Sequence, residues 1–324
     1  MPKLMIGSLS ALKYIRCARL GNTHGTTYVK AFGARSRDLS NLIKRARDLC
    51  CESDRLHVFV PSARDRPHYS SDLSIHIWGG TLPDSPYTAI DTGIYVANAP
   101  LAFVQAACEL DTIDLALVAY ELTGTYAIRF WDDGASISVK EPITTLEELK
   151  AFARACVALG ARGANRAIQA LELVVPMSNS AAESALALML MEKGCRGGLA
   201  LRDFNLNERI KLPHDIARLH GYDALTPDYH FINSMILLEY ESDAYHLTSN
   251  DKARDSRRSV AFGLAGYRTF PLSKQQVQDP EYLWELAEQL RLALGRRKHT
   301  RNWEKYVDLH HRLFIQRRDP LHTY

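Results

Sequence analysis

Apolar residues recur at every second position in three short segments of the first hundred residues: LHVFVP at 56–61, LSIHIW at 73–78 and IYVA at 94–97. Side chains alternate between the two faces of an extended chain, so each segment predicts a strand. Elsewhere in this half the spacing is helical. Residues 8–20 and 36–50 predict helices, with Ser8 and Ser36 as N-caps. In the second, Leu39, Leu42, Ile43 and Ala46 form one stripe, and Lys44, Arg45 and Arg47 lie mainly outside it. Residues 100–124 predict a helical pair carrying Leu101, Val104, Ala107 and Cys108. Two further helices follow at 144–158 and 163–174, broken at Gly160 and Gly163. Thr144 or Thr145 would cap the first of them, with Glu147 and Glu148 in the opening turn, where the helix dipole favours acids.

The pattern changes beyond Pro176-Met177-Ser178-Asn179-Ser180. A helix at 180–193 leads into a stretch without clear period up to 223. Two strands, 225–231 and 235–241, are joined by a turn at Ile232-Asn233-Ser234. A helix at 250–264 stops at Gly266, a strand follows at 267–272, and a long helix runs over 280–296 with Asp279 as cap and Pro280 at its first position. The order is α-β-β-α-β-α. The pattern predicts three parts: a mixed helical and β-rich domain over 1–176, an α/β domain over 177–298, and a basic, aromatic C-terminal helix over 299–324. In the last, Trp303, Tyr306, Leu309 and Leu313 recur at helical spacing, which suits a packed helix. Aromatics among basic residues also suit base stacking.

Charge changes this picture. The 324 residues carry a net +3, but residues 1–70 hold +8, residues 291–324 hold +6, and the stretch between holds −11. Basic ends suit contact with a polyanion, and they equally suit solvated helices. Two short basic helices over 1–50 fit either a reduced helix-turn-helix or a structural cap. Six cysteines without a CxxC pair point to reduced thiols in the cytoplasm, and zinc is not expected, because no Cys/His cluster has ligand spacing. No apolar run approaches the roughly 20 residues of a membrane span. The opening segment, with Lys13, Arg16 and Arg19 after a short apolar run, reads as an amphipathic helix and not an export signal.

The segment that carries chemistry is PDYHFINSMILLEYESDAYH, residues 227–246. On a hairpin, Glu239 and Glu241 share one face, and Asp228 comes beside that face across the turn. Acids at the ends of apolar strands are costly to bury without compensation. A divalent cation, Mg²⁺ or Mn²⁺, compensates carboxylates well. So does a solvated or salt-bridged sheet edge, and spacing alone does not separate the two.

With Pro227-Asp228 followed by Glu239-Tyr240-Glu241, the segment resembles the PD-(D/E)xK restriction-endonuclease-like superfamily, and more narrowly its compact, very-short-patch-repair-type domains. The run LLEYESDAYH and then SNDKARDSRRSVAFGLAGYRTFPL is similar to theirs, and Glu183 stands on the matching upstream helix. The resemblance implies a restriction-endonuclease-like αββαβα core and metal-dependent hydrolysis of DNA. It implies Glu183, Asp228 and Glu239 as metal ligands, with Glu241 and His246 as further catalytic candidates. The family's lysine, two residues after the second acid, is Glu241 here, so the cation would come from Lys252 or Arg254, or the site is inactive. Lys252, Arg254, Arg258, Arg296, Arg297 and Lys298 are the candidate DNA contacts. The front half, with LHVFVPSARDRP and IDTGIYVANAPLAFVQAA, more weakly resembles the AbiEi-type antitoxins of abortive-infection systems. That implies, as the alternative, an inactive nucleic-acid-binding regulator with a toxin or other protein partner.

Overall fold

A computed structural model of the chain describes residues 3–21, 39–66, 71–78, 82, 86–129, 135–241, 249–298, 302–316 and 319–322, and for 249–255 the backbone alone. The chain divides into two compact units. One comprises Met1–Val174 with Asp319–Tyr324, and the other Val175–Arg318. Both are mixed α/β with mixed sheets. Among the described residues no helix is long and apolar enough to cross a membrane.

The first unit is built on β1 (Leu4–Ile6), a three-residue strand too short to show a period. It is followed by α1 (Ser8–Arg19), α2 (Leu39–Leu49), β2 (Leu56–Val60), β3 (Leu73–Ile77), β4 (Tyr87–Asp91) and β5 (Ile94–Ala97). The sheet order is β3-β2-β1-β5-β4, so β1 is the central strand. It runs antiparallel to β2 and parallel to β5, and β2 runs parallel to β3. Then come α3 (Ala99–Ala106), α4 (Thr112–Thr123), the hairpin β6 (Tyr126–Ile128) and β7 (Ser136–Ser138), α5 (Leu146–Ala158) and α6 (Ala164–Leu171). Thr145 caps α5 in a reciprocal box with Glu148.

Ser8 is not the cap of α1. Gly7 holds that place, and Ser8 is the first helical residue, with a left-handed φ of 49°. A side chain at Gly7 would put its Cβ 2.2 Å from Gln105 Oε1, which instead accepts the Ser8 N–H. Ser36 lies outside the described residues.

The basic face expected on α1 is an internal set of ion pairs. Lys13 Nζ is 2.6 Å from Glu52, which also accepts from Ser10 Oγ at 2.6 Å. Arg16 spans Glu121 and Asp319, both at 2.5 Å, and all three are buried. Arg19 donates to the carbonyls of Glu121 and Gly124 at the end of α4, and to those of Tyr126 and Glu141. Eight of the twelve residues of α1 are buried and it packs on α3 and β2, so it is a structural helix of the first unit. The acids that neutralise it lie tens to hundreds of positions away in the chain. Local charge counting does not see them.

The second unit holds α7 (Ala181–Met191), β8 (Phe204–Leu206), β9 (Ile210–Lys211), α8 (His214–His220), β10 (Ala224–Leu225), β11 (Tyr229–Phe231), β12 (Ile236–Glu241), α9 (Ser249–Leu264), β13 (Arg268–Ser273), α10 (Lys274–Gln278), α11 (Pro280–Ala293) and α12 (Trp303–His310). Its sheet runs β13-β12-β11-β8, with β12 and β13 parallel and the other pairs antiparallel. The strand expected at 225–231 is two strands. β10 pairs with β9, the chain breaks at Thr226-Pro227, and β11 begins at Tyr229. Proline has no N–H to give a ladder, which explains the break.

The tail is packed. Tyr306, Leu309 and Leu313 are buried, and Trp303, though exposed, stacks on Tyr306 at 5.3 Å. Tyr306 Oη donates to Pro280 O, and His310 bonds Val277 O. The last described residues, 319–322, belong to the first unit.

Candidate functional site

The register of the β11–β12 hairpin builds the site. Tyr229 faces Leu238, so the next position outward sets Asp228 opposite Glu239. Directly opposed residues of an antiparallel pair point to the same face, with Cβ atoms about 5 Å apart. Each acid accepts a backbone N–H across the hairpin. Asp228 Oδ2 accepts the Tyr240 N–H at 2.7 Å, and the Glu239 carboxylate accepts the N–H of Asp228.

This face of β12 also carries Leu237, which joins a core with Ala261 and Phe262 of α9, Ile216 of α8 and Leu225. Arg258 lies one turn before Phe262 on the same stripe of α9. Its Nη2 is 2.9 Å and 3.2 Å from the two oxygens of Glu239 and 2.5 Å from Thr226 O, and its guanidinium lies 5.6 Å from the centre of the Phe262 ring.

Both acids are harder to ionise than ordinary carboxyls. Burial, then the charge of Glu183, pushes Asp228 up to about 6, against the pull of the Tyr240 N–H and Arg258. Burial, then the charge of Asp228, pushes Glu239 up to about 8, partly offset by Arg258. Among the described residues, the Arg258 guanidinium faces two half-buried acids. Among the described residues the pair offers carboxylate oxygens, the donor type that fits a hard dication.

The other candidates fall out differently. Glu183 is buried but committed: it accepts from Asn179 N, Ser180 Oγ and Asn207 Nδ2 at 2.9–3.0 Å. It sits at the N3 position of α7, where Ser180 caps its own N–H. With its oxygens held this way, Glu183 does not close with Asp228 and Glu239 into a three-ligand group. Glu241 is exposed at the strand end, opposite Ser273. His246 lies outside the described residues, as do the side chains of Lys252 and Arg254. Arg258, expected to face DNA, turns inward onto Glu239. Arg296 pairs with Asp203 at 3.0 Å, and Arg297 and Lys298 are exposed.

The sequence reading missed Arg258 as the cation of the acid pair. Its one signal was the i, i+4 spacing to Phe262, legible only once α9 is known to cover the face of Glu239. It also missed a second cluster, His57, His76 and Glu109. Among the described residues this is the group of histidine, cysteine and acidic side chains whose ligand atoms all lie within 4.8 Å of one another. Its signal was alternation: His57 and His76 both stand on strands, and the parallel register puts them on one face.

No family model matches the chain, and no curated protein or solved structure matches it.

Proposed function

We propose that the second unit is a restriction-endonuclease-like core that hydrolyses phosphodiester bonds in DNA at the Asp228–Glu239 pair. The observation that carries the reading is the pairing itself: two half-buried acids across one hairpin, each held by a backbone N–H, beside the guanidinium of Arg258. The elements α7, β11, β12, α9, β13 and α11 follow in the order of the αββαβα arrangement that the resemblance implies, with β8 added to the sheet and β9, α8, β10 and α10 inserted between them.

Asp228 and Glu239 would hold Mg²⁺ or Mn²⁺, with Glu183 adding charge from behind. Such an ion, when bound, polarises a phosphoryl oxygen and acidifies water. The chain's own contribution is positional. The Tyr240 N–H fixes the Asp228 carboxylate, and Arg258 orients Glu239 while bringing a positive charge to the place where a phosphate would approach. Arg297 and Lys298, exposed beyond α11, suit backbone contacts to the duplex.

One observation favours a second reading, a DNA-binding regulator of antitoxin type without cleavage. Arg258 already pairs with Glu239, and Glu241 stands where the family's lysine is expected. The test is incubation of the full chain with supercoiled and branched DNA and Mg²⁺ or Mn²⁺, alongside binding measured across a salt series. The nuclease reading expects metal-dependent nicking that Asp228→Ala abolishes. Nicking by Asp228→Ala at the wild-type rate would remove the site. Salt-sensitive binding with no cleavage in either metal would select the regulator.

A further inference from the structure

We propose that His57, His76 and Glu109, in the first unit, form a binding site for a single zinc-type transition-metal dication. The site is independent of the acid pair at Asp228 and Glu239.

The argument starts from the strands. β2 and β3 run parallel, with His57 beside Ser74 and Phe59 beside His76. Alternation then sets His57, Phe59, Ser74 and His76 on one face of the sheet. The two imidazoles lie nearly parallel, 12° apart, with His57 Nδ1 3.0 Å from His76 Nε2. Phe59 stacks on His76 at 4.9 Å and fixes that ring. Glu109 comes from the turn that ends α3, where its N–H bonds Ala106 O. Its Oε1 lies 3.6 Å from His76 Nδ1, and its side chain is 35% exposed. Taking one ligand atom from each residue, two imidazole nitrogens and one carboxylate oxygen on three elements all lie within 4.8 Å of one another.

The donor set selects the ion. Two imidazoles, one carboxylate and an open position suit zinc, with metal–nitrogen distances of about 2.0–2.1 Å. Two nitrogens on such a tetrahedral ion stand about 3.3 Å apart, so the imidazole pair needs to open by only about 0.3 Å. Nitrogen donors favour zinc, cobalt, nickel and copper over magnesium. Neutral imidazole is the form that ligates. Arg162 is the cation nearest in effect to His76, and Glu109 offsets it there.

The experiment uses the full chain, stripped with a chelator, and zinc alone as the probe. Equilibrium dialysis should give about one zinc per chain. Cobalt in its place should give visible bands of a four-coordinate nitrogen–oxygen site. Glu109→Gln, at an exposed position, and His76→Asn should each weaken zinc binding by about tenfold or more. Three results would overturn the proposal: no zinc bound by the wild type, unchanged affinity in both variants, or thiolate charge-transfer bands that assign the cobalt to cysteines. Should His76→Asn fail to fold, Glu109→Gln decides alone.

Discussion

Asp228 and Glu239 illustrate how a residue's neighbours, and not its type, set its charge. Both carboxyls hold their protons above the ordinary range, at about 6 and about 8 against 3.8 and 4.5. A raised acid contributes stability that is complete below its unfolded value and lost as pH rises through its folded value. The second unit should therefore weaken between about pH 5 and about pH 8.5. Asp228→Asn removes one charge of the repelling pair and should flatten that slope, gaining on the order of 2 kcal/mol at the alkaline end. Urea unfolding of both proteins at the two pH values measures it. A wild type that is more stable at the alkaline end would contradict the arrangement. The acid pair was legible in the sequence because hairpin spacing and alternation are local rules. Arg258 was not, because its partner depends on which side of α9 meets the sheet.

Among the elements, Thr145 at α5 and Asp279 at α11 followed their local signals, while Gly7 took the place expected for Ser8 at α1. β1, β6 and β7 span three residues each, too few for a period to show, and they form because neighbouring strands supply the ladder. The packing of α12 turns on one glycine. Gly197 has a φ of 94°, and a Cβ there would lie 2.1 Å from Lys305 O and 2.6 Å from its carbonyl carbon. Both are backbone atoms, so neither can rotate away. Gly197→Ala should cost about 2–4 kcal/mol through left-handed strain and overlap together. The lowered urea midpoint, and a shift in tryptophan emission from Trp284 and Trp303, would register it. An unchanged midpoint would mean that the Gly194–Arg196 turn does not bear on α12.

At the scale of the whole molecule, part of the basic charge of the N-terminal stretch is taken up by internal pairing. Lys13, Arg16 and Arg19 count toward the basic N-terminal stretch, yet their guanidinium and ammonium groups are spent on Glu52, Glu121, Asp319 and α4 carbonyls. Asp319, 303 positions from Arg16, returns the chain's end to the first unit. Removing it leaves a buried guanidinium with one acid in place of two. Asp319→Ala should destabilise the first unit by about 1–3 kcal/mol, less than a full break because Glu121 remains. Denaturant unfolding followed by far-ultraviolet dichroism tests this, and a loss indistinguishable from zero would show that Glu121 suffices.

Periodicity, caps and turn residues by themselves determined most helices and the longer strands, and the placing of two acids across one hairpin. Each of these depends on neighbours within a few positions, where backbone geometry leaves little choice. The tertiary structure alone decided which cations are consumed inside the fold, that Arg258 faces Glu239, and that His57, His76 and Glu109 meet. Those outcomes depend on strand register and on which helix face packs inward, and these are settled by burial summed over the whole unit.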